Sequence, residues 1–97
     1  MQLLSASTLT HDHVVNPKGE DLGRIEDFVL DLENGWISYA VLSFGGILGI
    51  GDKYFAVPLE ALKLDPDNEH FILDVTKEKL ENAPGFDKDN WPMSPNP

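Results

Sequence analysis

Glu33-Asn34-Gly35 interrupts two stretches of β-favouring residues. Before it runs Gly23-Arg24-Ile25-Glu26-Asp27-Phe28-Val29-Leu30-Asp31-Leu32, and after it Trp36-Ile37-Ser38-Tyr39-Ala40-Val41-Leu42-Ser43-Phe44. Asn and Gly both tolerate the left-handed angles of a type I′ turn, so Asn-Gly between such runs predicts a hairpin. The two strands then constrain everything around them. In the first, strict alternation puts Ile25 and Val29 on one face and Phe28, Leu30 and Leu32 on the other. A bulge near Glu26-Asp27 reconciles the two sets, and a small closed sheet needs such bends. The second strand is apolar on both faces, with Ile37, Tyr39 and Val41 opposite Trp36, Ala40, Leu42 and Phe44. It is therefore either central and covered on both sides, or its outer face meets another subunit.

Turn signals recur about every ten residues along the chain, the spacing of a small sandwich or barrel. Asn16-Pro17-Lys18-Gly19 reads as a turn. Lys53-Tyr54-Phe55-Ala56-Val57 reads as a strand ended by Pro58, which cannot donate to a ladder. Leu59-Glu60-Ala61-Leu62 fits one helical turn, and Asp65-Pro66-Asp67-Asn68 joins Lys63-Leu64 to His70-Phe71-Ile72-Leu73-Asp74-Val75 in a last hairpin. Thr76 suits the N-cap of a short helix over Lys77 to Asn82, which Ala83-Pro84-Gly85 stops. The fold class is mainly all-β: a small barrel of short strands, with a helical turn and a short C-terminal helix. Residues 1–83 are read as the domain and 84–97 as a polar, proline-rich tail.

The chain of 97 residues carries 17 acidic and 7 basic side chains, a net charge of -10. That field repels phosphates, and nucleic-acid affinity comes largely from Lys and Arg neutralising them. Direct DNA or RNA binding, and docking on an anionic membrane, are not expected. There is no cysteine, which removes disulfides and thiolate chemistry. Gln2-Leu3-Leu4-Ser5-Ala6-Ser7 has neither the basic start nor the apolar length of a signal peptide. No run approaches the ~18 apolar residues of a membrane span. The cytoplasm is the expected compartment.

Candidate chemistry is sparse. Gly46 to Gly51 has the G-x-x-x-x-G spacing of a phosphate loop, but Asp52 and Lys53 follow where Lys and Ser or Thr are required. A strand then follows where a helix N-terminus is needed. Asp65, Asp67 and Glu69 have the start of a calcium-loop spacing, yet His70 stands where Gly is needed and Thr76 where Glu is needed. His11 and His13 would share a strand face without a convincing third ligand. Ser43 lacks a nucleophile elbow. No catalytic residue, cofactor or metal is expected, and the chain is read as a non-enzyme. The remaining feature is apolar surface: Trp36, Phe44, Ile47, Leu48, Ile50 and Trp91 are the candidate interface residues. Phe86 and Trp91 in the tail either cover the barrel or meet a partner.

The run Val15-Asn16-Pro17-Lys18-Gly19-Glu20-Asp21-Leu22-Gly23-Arg24-Ile25-Glu26-Asp27-Phe28-Val29-Leu30-Asp31, followed by Gly35-Trp36-Ile37-Ser38-Tyr39-Ala40-Val41-Leu42 and Phe55-Ala56-Val57-Pro58, resembles the PRC-barrel domain. That fold is shared by the cytoplasmic part of the photosynthetic reaction centre H subunit and the C-terminal domain of RimM. The resemblance spans roughly Leu3 to Val75. The glycine-rich stretch and the ending Ala83 to Pro92 are similar to the small stand-alone bacterial members. It implies a six-stranded barrel-like sheet that serves as an adaptor, binding protein partners or itself as a homodimer, with no catalytic residues to carry over. The chain has neither the H subunit's membrane helix nor RimM's other domain. The leading expectation is a non-catalytic assembly module that self-associates through the outer face of the Trp36–Phe44 strand and the glycine-rich stretch. The others are a small-ligand- or metal-binding regulator, and an accessory protein of an RNA-processing or ribosome-associated complex.

Overall fold

The structure, a computed structural model, describes residues 5–10, 12–45, 53–65, 67 and 70–86. The hairpin forms as expected from β2 (Asp21–Asp31) and β3 (Trp36–Phe44), paired from Asp31↔Trp36 to Arg24↔Ser43. The register slips between Ile25 and Asp27, and again between Val29 and Leu30. The first slip is the expected bulge. One extra residue in a strand turns every later side chain to the other face, so Ile25 and Phe28 point into one core. A further slip against β1, with Leu22 as the extra residue between Gly23 and Asp21, brings Leu22 in with them. Strict alternation had separated Ile25 from Phe28, and it had placed Phe28 with Leu30 and Leu32. Leu30 and Leu32 are instead exposed, at 59% and 86%.

β3 is buried on both faces. Ala40, Leu42 and Phe44 join Val14, Leu22, Ile25, Phe28, Val57, Phe71 and Leu80 in the main core. Tyr39 and Val41 pack in a second cluster with Tyr54 and Ala56, flanked by Val29 and Phe86. At ~1.5–3 kcal/mol for each large apolar side chain withdrawn from water, the two faces of this one strand supply much of the fold's driving force.

β4 (Lys53–Val57) pairs with the far side of β3. Pro58 then leads into a 3₁₀ turn over Leu59–Ala61. β5 (Leu62–Asp65) and β6 (His70–Leu73) make the last hairpin. β1 (His13–Val15) lies between β2 and β6, antiparallel to the first and parallel to the second. The six strands form one curled sheet in the order β4-β3-β2-β1-β6-β5. No ladder joins β4 to β5 among the described residues, so these two strands are its edges.

Two short helices frame the sheet. α1 (Ala6–Leu9), which the sequence reading did not anticipate, has Ser5 as its cap. α2 (Lys77–Asn82) starts as expected at Thr76, whose hydroxyl accepts from the Lys79 N–H at 3.1 Å, and it lays Leu80 on the core. The turn after β1 is tied to the start of α2 by Asn16, which is 3% exposed. Its amide donates to Glu20 Oε1 at 2.7 Å and to the Val75 carbonyl at 3.2 Å, while its oxygen accepts from the N–H groups of Lys18 and Glu20.

At Gly23 the backbone of β2 presses against β3. Its φ is +125°, and a Cβ there would lie 2.0 Å from the Ser43 carbonyl oxygen. Gly35 has φ +77° with nothing within 4 Å of the same position. Gly35→Ala therefore carries only the left-handed strain, ~1–2 kcal/mol. Gly23→Ala adds a backbone collision and is expected to cost ~3 kcal/mol or more. Urea unfolding of the two variants side by side checks this, and equal losses would refute the close approach.

Candidate interaction surface

The β2–β3 hairpin ends in a loop built by one carboxylate. Asp31 accepts from the Glu33 N–H at 3.1 Å, the Asn34 N–H at 3.0 Å and the Asn34 side-chain amide at 2.8 Å. Its carbonyl takes the Gly35 N–H at 2.8 Å. The connection is thus a four-residue loop over residues 32–35 rather than the two-residue turn that Asn-Gly predicts. The side chain of Asp31 supplies acceptors that a type I′ turn would draw from the backbone. Leu32 is consequently lifted out of the strand.

Three large apolar side chains meet water at this end: Leu30, Leu32 and Trp36, the last 61% exposed. The register sets Leu30 opposite Ile37 and Trp36 opposite Asp31 in adjacent rungs, so Leu30 and Trp36 leave opposite faces of the hairpin, with Leu32 at its tip. Asp31 and Glu33 give the patch an acidic rim. The strands beneath are paired along their length, so the patch is held in shape rather than collapsing inward.

A second concavity of about 350 Å³ lies between β4, β6 and α2. Phe55, Val57, Pro58, Leu73, Val75 and Leu80 line it, with Lys79 and residues 83–85 at its border. The same border is fixed by Lys53, whose ammonium donates to the carbonyls of Glu81 and Ala83 at the end of α2.

Of the candidate interface residues, Trp36 is exposed as expected. Phe44 is not available at the surface: it is 5% exposed and meets Phe55 edge-on, with ring centres 6.3 Å apart. It lies on the face of β3 that turns into the main core, so its ring is spent on packing. Ile47, Leu48, Ile50 and Trp91 lie outside the described residues, as do most of the glycine-rich stretch and His11. Phe86 folds back, its N–H bonded to the Tyr54 carbonyl at 2.7 Å and its ring 6.0 Å from that of Tyr54.

The polar candidates stay apart. His13 is 3.6 Å from Asp21 with both side chains well exposed, and His70 is 3.6 Å from Asp65. Asp65 also accepts from the Asp67 N–H as part of its turn. No group of three or more metal-ligating side chains occurs among the described residues. Burial pushes the Tyr39 phenol up, which keeps it neutral inside the second cluster. Among the described residues no helix is long and apolar enough to cross a membrane. Leu30 keeps the face of Phe28 but lies beyond the main core, and Leu32 sits in the Asp31 loop; neither circumstance is visible as periodicity, so both were missed as surface residues.

Residues 1–80 match the PRC-barrel domain family. No curated protein matches the chain. A solved structure from Pseudomonas aeruginosa, described as the 16S ribosomal RNA processing protein RimM, shares the fold with a TM-score of 0.53 at 13% sequence identity. The match covers 80% of this chain and 47% of that one, so the chain spans about half the length of that protein.

Asp31 gives the patch a measurable signature. The side-chain amide of Asn34, then its backbone N–H, hold the Asp31 carboxyl below the usual carboxylate range. A group depressed in the folded state adds stability above its unfolded pKa and loses it as pH falls through the folded value. NMR titration is expected to find Asp31 ionising below the usual carboxylate range, and Asp31→Ala is expected to flatten the acid limb of the stability curve. An Asp31 that titrates within the usual carboxylate range would refute the loop geometry.

Proposed function

Because the chain belongs to the PRC-barrel family, we propose that it is a non-catalytic cytoplasmic adaptor that binds other proteins and itself. The observation that carries this reading is the exposed trio Leu30, Leu32 and Trp36 on a rigid hairpin end. Large apolar side chains exposed around one hairpin tip have no use in a monomer that needs only solubility, and exposed apolar surface of this kind commonly marks interaction sites. Trp is also the residue type most often found to dominate a protein interface. The acidic rim and the net charge of -10 fit a partner whose apolar cleft is ringed by Lys and Arg. The RimM-like fold is compatible with such a partner in a ribosome-associated complex, and the charge favours a basic protein over RNA as the surface contacted.

The groove between β4, β6 and α2 supports a second reading, a small-ligand regulator, since an apolar concavity of this size is at the low end of ligand sites.

Two measurements separate these. A pull-down from the native host is expected to retain a partner on the wild-type chain and to lose at least nine-tenths of it on Leu32→Ser/Trp36→Ser. These surface changes should leave stability within ~0.5 kcal/mol. Equal capture by both chains would sink the hairpin reading. In a thermal-shift screen of metabolites, a ligand at 100 times its Kd would add ~2.7 kcal/mol of stability. That gain should vanish in Ala61→Trp, which fills the groove from its exposed wall, and a screen without a single shift removes the second reading.

A further inference from the structure

Among the described residues the outer edge of β5 is unpaired, and its hydrogen-bonding phase can be read from its surroundings. The Leu62 N–H donates to the Leu59 carbonyl, outside the sheet. The Leu73 carbonyl, opposite Leu62, is taken by the Val75 N–H at 2.9 Å. Leu62 and Leu73 are therefore a non-hydrogen-bonded pair. Antiparallel ladders alternate, so Lys63–Ile72 and Asp65–His70 are bonded pairs and Leu64–Phe71 is not. The N–H and C=O of Leu64 point away from β6, where the sheet ends. Among the described residues neither group has a partner. Such an edge is a template for another strand.

The side chains select which strand. Leu62 and Leu64 pack against the core, which leaves Lys63 and Asp65 on the other face of β5. Lys63 is exposed, and among the described residues its ammonium has no partner. We propose that two copies of this chain pair antiparallel at this edge, about a two-fold axis at Leu64. Leu64 then exchanges both main-chain bonds with its counterpart. On either side Lys63 faces the second copy's Asp65, in the non-hydrogen-bonded pairs where cross-strand side chains come closest. Centring the axis on Lys63 or Asp65 would set like charges together, and would present N–H groups already turned toward β6. A lysine on an edge strand ordinarily repels a second copy. Asp65 two residues on turns that guard into a complement.

This surface shares no residue with the hairpin end, so the two readings stand or fall separately. A four-residue strand buries little area, and exposed ion pairs are individually weak. The dimer is accordingly expected at high-micromolar concentration and low ionic strength, and salt should dissolve it.

Sedimentation velocity of the full chain over a concentration series tests the seam. Wild type should dimerise. Lys63→Asp and Asp65→Lys should each weaken association at least tenfold when alone, through Asp–Asp and Lys–Lys contacts, and a 1:1 mixture of the two should recover wild-type association. Lys63→Asp leaves the Asp65 turn and its contact with His70 intact, so it serves if Asp65→Lys misfolds. The Leu64 amide should also gain protection from hydrogen exchange as concentration rises, while Leu32→Ser/Trp36→Ser leaves both readouts unchanged. A wild type that stays monomeric, whatever it captures from an extract, overturns the proposal. So do charge variants that associate as wild type does, or a mixture that fails to recover.

Discussion

A strand with no wet face requires cover from two sides, and β3 is such a strand. Tyr39, Ala40, Val41 and Leu42 are all inaccessible to water. One side is satisfied only if the sheet curls until β1 and β6 face it across the core, and the slip at Ile25/Asp27 in β2 makes the curl by setting Ile25 and Phe28 on the same concave surface. The other side is satisfied locally, by Tyr54 and Ala56 on β4 and by Phe86 returning across Tyr54. A domain of this size has little core to spare. The curl, the return of Phe86 and the placement of α2 thus follow from a single stretch of nine residues.

The same economy explains why exposed apolar side chains collect at the periphery. With both faces of β3 consumed in packing, apolar side chains beyond its ends have nothing left to cover them. Leu30, Leu32 and Trp36 are at one such end. The β5 edge, unpaired among the described residues, is another boundary of the same sheet, since the curl stops short of joining β5 to β4. Among the described residues neither boundary gathers a group of three or more metal-ligating side chains.

Much of the architecture was legible in the sequence because its signals are local. Asn-Gly placed the hairpin, Pro58 ended β4, Thr76 capped α2, and the mixed periodicity around Glu26-Asp27 marked the bulge. Tertiary accidents were not legible. Asp31 replaced a two-residue turn with a four-residue loop because a side chain competed for the backbone donors, and nothing in β propensity reports that. Phe44 shares the parity of Trp36 in sequence, yet one is 5% exposed and the other 61%, since the extra residue at Ser38 turns Trp36 to the other face at the rim end of β3. Asn16 reads as an ordinary turn residue in sequence. Only the fold shows it clasping Val75 from the far end of the chain.

The parallel contact of β1 with β6 also orders events in time. β2, β3 and β4 are sequential hairpin neighbours that can pair as the polypeptide leaves the ribosome, and β5 and β6 form a second local unit. β1, made before any of them, keeps one flank unoccupied until the residues around Phe71 emerge. The slowest event in assembly is therefore the meeting of two preformed hairpin units across a slot that has waited since the start of translation. Through that interval the N-terminal strand presents a vacant edge to whatever else is nearby.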